Sequence, residues 1–174
     1  MKPKWLTLAW FGSCASLLAL VNSVNARETQ ETKFVCGAWR DTPMTVAQTP
    51  RGDVPVIYWV SDWVNDSDSD LSPQNRCEIV SENFQQAYDR GELRYLTVGK
   101  KNNADIVCVA EYDGGPCQSQ LFTLKPGSDP EDSLLQLMNI NRSASPSPLE
   151  QSTGKQRLYI DLENFINKAA KIEN

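Results

Sequence analysis

Two hydrophobic periods divide the stretch from Arg76 to Leu124. Cys77, Val80, Phe84, Ala87 and Tyr88 recur at three- and four-residue steps while Glu78, Glu82, Gln85 and Asp89 fall between them, which is the pattern of a helix with one apolar stripe. Ser72 and Pro73 supply an N-cap hydroxyl and a first-turn proline, and Gly91 a left-handed C-cap, so the helix is predicted from Pro73 to Arg90. The period then shortens to that of strands. Leu93 to Val98 and Asp105 to Ala110, separated by the polar turn Lys100 to Asn103, predict a hairpin. Asp113, Gly114, Gly115 and Pro116 reverse the chain again, and Leu121 to Leu124 reads as a third strand of the same sheet.

On the N-terminal side, Lys33 to Ala38 and Val54 to Val60 read as strands. Between them Thr42, Pro43 and Gln48 to Gly52 suggest a connection holding a short strand at Met44 to Ala47. On the C-terminal side, Asp129 before Pro130, Glu131 and Asp132 opens a second amphipathic helix, with Leu134, Leu135, Leu137 and Met138 as its apolar face and an end near Asn141. The run SASPSP at Ser143 to Pro148 begins a Ser/Pro-rich loop over 143–154 that is too small and polar to pack. Arg157 to Leu162 alternates as a closing strand, and Asn164 to Lys171 suits a last helical turn or two. The prediction is an α+β fold: an antiparallel sheet of about five strands, the Pro73 to Arg90 helix on one face, and the Pro130 to Asn141 helix beside it or at an edge.

The first 26 residues change the picture of where this fold works. Lys2 and Lys4 precede an apolar run from Trp5 to Val21, and Val24, Asn25 and Ala26 fit a small-residue cleavage pattern, so residues 1–26 read as a secretory signal peptide. Residues 27–32 follow as a polar, frayed start, and 33–174 as a single domain. Cleavage would leave about 148 residues, enough for one core and too few for two ordinary ones. It also removes Cys14, leaving Cys36, Cys77, Cys108 and Cys117. Four cysteines in an exported chain predict two disulfides. Of three pairings, the short loop favours Cys108 with Cys117, which leaves Cys36 with Cys77. Zinc is the competing use, but the chain has no C-x-x-C pair and no histidine.

Charge and side-chain chemistry then narrow the function. The chain carries 17 Lys and Arg against 22 Asp and Glu, a net charge of −5. Signal cleavage would take this to about −7, which argues against nucleic acid, since phosphate binding needs clustered cations. Without histidine there is no usual general base. Ser81 as half of a Ser–Lys dyad and a pair of carboxylates across a cleft are the remaining catalytic options, and neither is supported by a spacing; no catalytic residues and no cofactor are assigned. Asp66, Asp68 and Asp70 resemble the opening of a calcium loop, but Leu71 stands where that loop needs glycine and Cys77 where it needs a bidentate glutamate, so no metal site is assigned. The tripeptide Arg51-Gly52-Asp53 is explained by a turn before a strand.

Several of these residues also form a combined pattern: F-x-C at Phe34 and Cys36, Thr45 within P-M-T-V, the Trp59 strand, R-C-x-x-V-S-x-x-F from Arg76 to Phe84, I-V-C at Ile106 to Cys108, and C-x-x-x-L-F-T-L from Cys117 to Leu124. In this combination, spanning Phe34 to Leu162, the chain resembles the circadian oscillating proteins of cyanobacteria. The resemblance implies a peripheral membrane polypeptide of the periplasm or thylakoid lumen whose abundance follows a daily rhythm, and it brings no enzymatic activity, cofactor or catalytic residue. The negative charge is the wrong sign for attachment to anionic lipid. The expected partner is therefore a protein at a membrane surface, with no integral span in the mature chain. Trp39, Trp59 and Trp63 are the candidate partner-binding residues, against the alternative that they fill the core. A small secreted hydrolase or inhibitor and a weak calcium-binding module are the competing functions.

Overall fold

The computed structural model describes residues 31–60, 72–139 and 157–172. The signal segment 1–26, the start of the frayed stretch at 27–30, Trp63 with the acidic run Asp62 to Asp70, Asn141, and the 143–154 loop lie outside the described residues.

Three strands, β1 (Lys33–Trp39), β2 (Thr42–Thr49) and β3 (Gly52–Tyr58), form an antiparallel sheet in the order β1-β2-β3. Both of its hairpins are tight. Trp39 pairs with Thr42, so the first turn is Arg40-Asp41, with φ of 48° and 63°. Two consecutive left-handed residues match the twist of the flanking strands, which is why so short a loop closes. In the second turn Thr49 Oγ1 accepts from the Arg51 N–H (3.1 Å) and donates to the Gly52 carbonyl (2.8 Å). Gly52 takes φ 118°, open to glycine almost alone. The short strand expected at Met44 to Ala47 is thus the eight-residue central strand of this sheet. Thr42, Pro43, Gln48 and Thr49 look like loop residues in isolation, but β2 has a partner on each side. A register shift at Thr45/Val46 sets Pro55, which has no N–H to give, beside the irregularity.

Helix α1 (Pro73–Asp89) follows. Ser72 Oγ accepts from the Asn75 N–H (3.2 Å), and Gly91 at φ 70° lets the Gly91 and Glu92 N–H groups return to the carbonyls of Tyr88 and Ala87. Its buried stripe is Cys77, Val80, Ser81, Phe84 and Ala87, with Arg76 beside it.

A second antiparallel sheet has the order β6-β5-β4-β7, from β4 (Tyr95–Lys101), β5 (Ala104–Ala110), β6 (Gln120–Thr123) and β7 (Tyr159–Asp161). The β4–β5 hairpin turns on Asn102-Asn103, again both left-handed. Helix α2 (Pro130–Leu137) is capped by Asp129, and α3 (Leu162–Lys168) by Asp161.

The α+β class with antiparallel strands therefore holds, while among the described residues the strands number seven in two sheets rather than about five in one. The reason is α1, which touches β1 and β2 on one side and β6 on the other. Its links are specific. Cys36–Cys77 is a disulfide, Gln85 Oε1 accepts from the Phe34 N–H (2.7 Å), and Asn83 Nδ2 donates to the Leu121 carbonyl (2.7 Å). One core joins both sheets through Phe34, Val54, Phe84, Leu96, Val107 and Leu134, with the Phe34 and Phe84 rings 5.5 Å apart. Each such side chain contributes about 1.5–3 kcal/mol by leaving water.

The outer face of the second sheet has its own cover. The loop after β5 turns back, with Gln118 N–H donating to the Val109 carbonyl (2.9 Å) and Val109 N–H to the Ser119 carbonyl (3.0 Å). The Cys108–Cys117 disulfide and a hydrogen bond from the Tyr159 hydroxyl to the Gly115 carbonyl (2.6 Å) hold it down. Gly99 makes room for this. A Cβ there would sit 3.1 Å from Cys117 Sγ.

Candidate functional site

The three candidate tryptophans separate. Trp63 lies outside the described residues. Trp59 is 1% exposed and cannot reach a partner, so its candidacy as a binding residue is withdrawn. Its indole N–H donates to Thr45 Oγ1 (3.2 Å), the Ser81 hydroxyl is 3.0 Å from the same oxygen, and the Arg76 guanidinium carbon stands 4.6 Å from the ring centroid. Phe122 meets the ring edge-on at 5.4 Å. Two polar groups of α1 and one each of β2 and the end of β3 are thus gathered into a buried knot. A buried Trp needs a hydrogen-bond acceptor for its N–H, and Thr45, fully buried on the central strand, is that acceptor.

The knot accounts for the pattern residues Thr45, Trp59, Arg76 and Ser81 as structural. Ser81, 3% exposed with its hydroxyl committed to Thr45, is shielded from any substrate. The link was not foreseen because the three hydrogen-bonding residues are 14 and 36 positions apart in the chain. The one available signal was a hydroxyl residue, Thr45, amid the apolar run of β2.

Trp39 is different. It ends β1 at the tip of the first hairpin, 44% exposed, with the Arg40 guanidinium carbon 4.4 Å from its ring centroid. The bond from the Trp59 backbone N–H to the Pro43 carbonyl sets Val60 beside Thr42, the residue opposite Trp39, so exposed Val60 falls in the same cross-strand row. Next on that face is the row Gly37, Met44, Tyr58. Partial burial pushes the Tyr58 phenol above its ordinary value, so it stays neutral through the physiological range. Met44 at the centre of that row is buried at 1% exposure, so what this end of the first sheet exposes is Trp39, with Arg40 stacked on it, and Val60.

Cys36, Cys77, Cys108 and Cys117 form the bridges Cys36–Cys77 and Cys108–Cys117, with Cα separations of 5.4 and 5.6 Å. Among the described residues, no group of three or more Cys, Asp and Glu side chains could hold a metal ion. Asp66, Asp68 and Asp70 lie outside the described residues. Glu92 accepts from Arg90 (3.0 Å) and from Ser119 (2.8 Å) and is held below the usual carboxylate range by those bonds. It clips the end of α1 to the loop before β6.

Against known proteins, the model of the family described as circadian oscillating protein COP23 matches residues 33–167. The chain belongs to that family. No curated protein and no solved structure matches it. The match takes in both disulfides, the buried knot and Trp39, so the COP23 pattern read from Phe34 to Leu162 is the pattern of this fold. Among the described residues no helix is long and apolar enough to cross a membrane.

Proposed function

We propose that this COP23 protein is a non-catalytic exported protein of the periplasm or thylakoid lumen, held peripherally at a membrane by a protein partner that engages Trp39. The observation that carries the reading is Trp39 itself: a large aromatic half open to water, stacked by Arg40 at a hairpin tip. Trp and Arg are the residue types that dominate binding energy at protein interfaces. The net charge of −5 favours a protein over anionic lipid as the contact, because lipid attachment relies on clustered cations. Two disulfides agree with an oxidising compartment.

The test is retention on native membranes. Wild-type protein should bind membranes and resist a high-salt wash, while Trp39→Ala should be released at low salt with its fold unchanged. Retention of Trp39→Ala equal to wild type, or loss of binding from membranes only when anionic lipid is removed, would refute the proposal.

A further inference from the structure

The opposite end of the first sheet holds a cleft of about 330 Å³, at the small end of the size range of ligand pockets. Four parts of the chain build it: the start of β1, the β2–β3 turn, the end of α1 and one face of α3. Phe34, Tyr88, Leu93, Leu162 and Ile166 make the walls apolar, with the Phe34 and Tyr88 rings 5.7 Å apart. Arg51, from the tight turn, stands at the mouth.

The polar groups there have capacity to spare. Arg51 donates from one terminal nitrogen to Asn167 Oδ1, which fixes the guanidinium relative to α3. A guanidinium has five N–H donors, so the others remain open to a ligand, and the Tyr88 hydroxyl has no hydrogen-bond partner among the described residues. Lys171 crosses the same turn, its stem packed where a Gly52 Cβ would be (3.2 Å). Among the residues lining the cleft, Arg51 and Glu163 carry charge, while Lys171 lies outside the lining with its stem beside the turn. Glu163 is exposed and sits in the first turn of α3, where a negative charge suits the helix end.

We infer that this cleft binds a small apolar molecule bearing one carboxylate, its body against Phe34, Tyr88 and Ile166 and its carboxylate on the Arg51 guanidinium. Planar, forked donors match a carboxylate, and an apolar wall beside them strengthens the pairing by excluding water. The site is at the far end of the sheet from Trp39, so a ligand here leaves the proposed partner surface free.

The probes are 3-phenylpropionate and its primary amide, titrated into the oxidised protein with binding read from amide and aromatic chemical shifts. The carboxylate should produce saturable shifts at Phe34, Tyr88 and Ile166, and the amide should bind at least tenfold more weakly. Arg51→Gln, at an exposed position, should weaken carboxylate binding at least tenfold without changing the melting temperature. Ile166→Trp should fill the cleft and abolish binding. No saturable shift, shifts centred elsewhere, or equal binding of acid and amide would overturn the assignment.

Discussion

Replacing Thr45 with valine tests the buried knot directly. Valine keeps the volume and the β-branch but removes the oxygen that meets both the Trp59 indole N–H (3.2 Å) and the Ser81 hydroxyl (3.0 Å). Leaving a buried donor without an acceptor costs about 1–3 kcal/mol. The indole N–H cannot move, because the ring is wedged between Phe122 and the Arg76 guanidinium, so it bears its full cost. The Ser81 hydroxyl can rotate to the carbonyl one helical turn back, so its share is small. The expected loss is about 2–3 kcal/mol, or roughly 4–12 °C in melting temperature for a chain of this size. Urea unfolding of the oxidised protein followed by tryptophan fluorescence measures it. Thr45→Ser, which keeps the oxygen, should lose about 1 kcal/mol for its missing methyl. In a Trp59→Phe background Thr45→Val should cost at least about 1 kcal/mol less than in wild type, since the stranded donor is gone. A Thr45→Val loss below about 0.5 kcal/mol, or no coupling to Trp59, would refute the reasoning.

Three further outcomes follow from the geometry. Gly99→Ala places a Cβ 3.1 Å from Cys117 Sγ, an atom that its covalent bond to Cys108 prevents from yielding, and should cost about 1 kcal/mol in thermal unfolding; an unchanged or raised melting temperature would contradict the close fit. On loop-closure entropy, removing Cys36–Cys77 (separation 41) should cost about 4 kcal/mol and Cys108–Cys117 (separation 9) about 2.7 kcal/mol; paired Cys→Ser variants in urea would show the order reversed if the bridges act otherwise. Because Glu92 is held below its unfolded value, its stabilisation is present above that value and fades as pH falls through its folded value. Glu92→Gln should therefore narrow its stability gap to wild type below about pH 4, and a gap that does not vary with pH would remove the role given to Arg90 and Ser119.

What the sequence revealed and what it hid both have local causes. Helix α1 was legible because its cap, stripe and terminal glycine agree, and the observed end at Asp89 differs from the expected Arg90 by one residue. The β4–β5 hairpin was legible from its β-branched and aromatic runs about the polar turn Lys100 to Asn103, although β4 starts at Tyr95 and runs on to Lys101, so that Asn102-Asn103 alone makes the turn. The β1–β2 hairpin was not, because Arg40-Asp41 adopts the same conformation without an asparagine or glycine first residue to advertise it. With that turn unseen, β2 shrank to Met44 to Ala47 and the first sheet lost its identity. Strand character also says nothing about which strands share a sheet; here α1, serving both, decides it. Trp59 and Trp39 look alike in composition, yet one is on the helix-covered face near Thr45 and the other at a hairpin tip, a difference set by register alone. The disulfide pairing was readable from loop length, whereas the cleft brings Phe34, Arg51, Tyr88 and Ile166 together from four separate segments and left no motif.

The most direct measurement is photo-crosslinking on native membranes, with a benzophenone amino acid placed at position 39 and, as control, at the somewhat more exposed Tyr112. The account expects position 39 to give one discrete protein adduct that Tyr112 does not. Lipid adducts alone at position 39, no adduct, or the same adducts from both positions would contradict it.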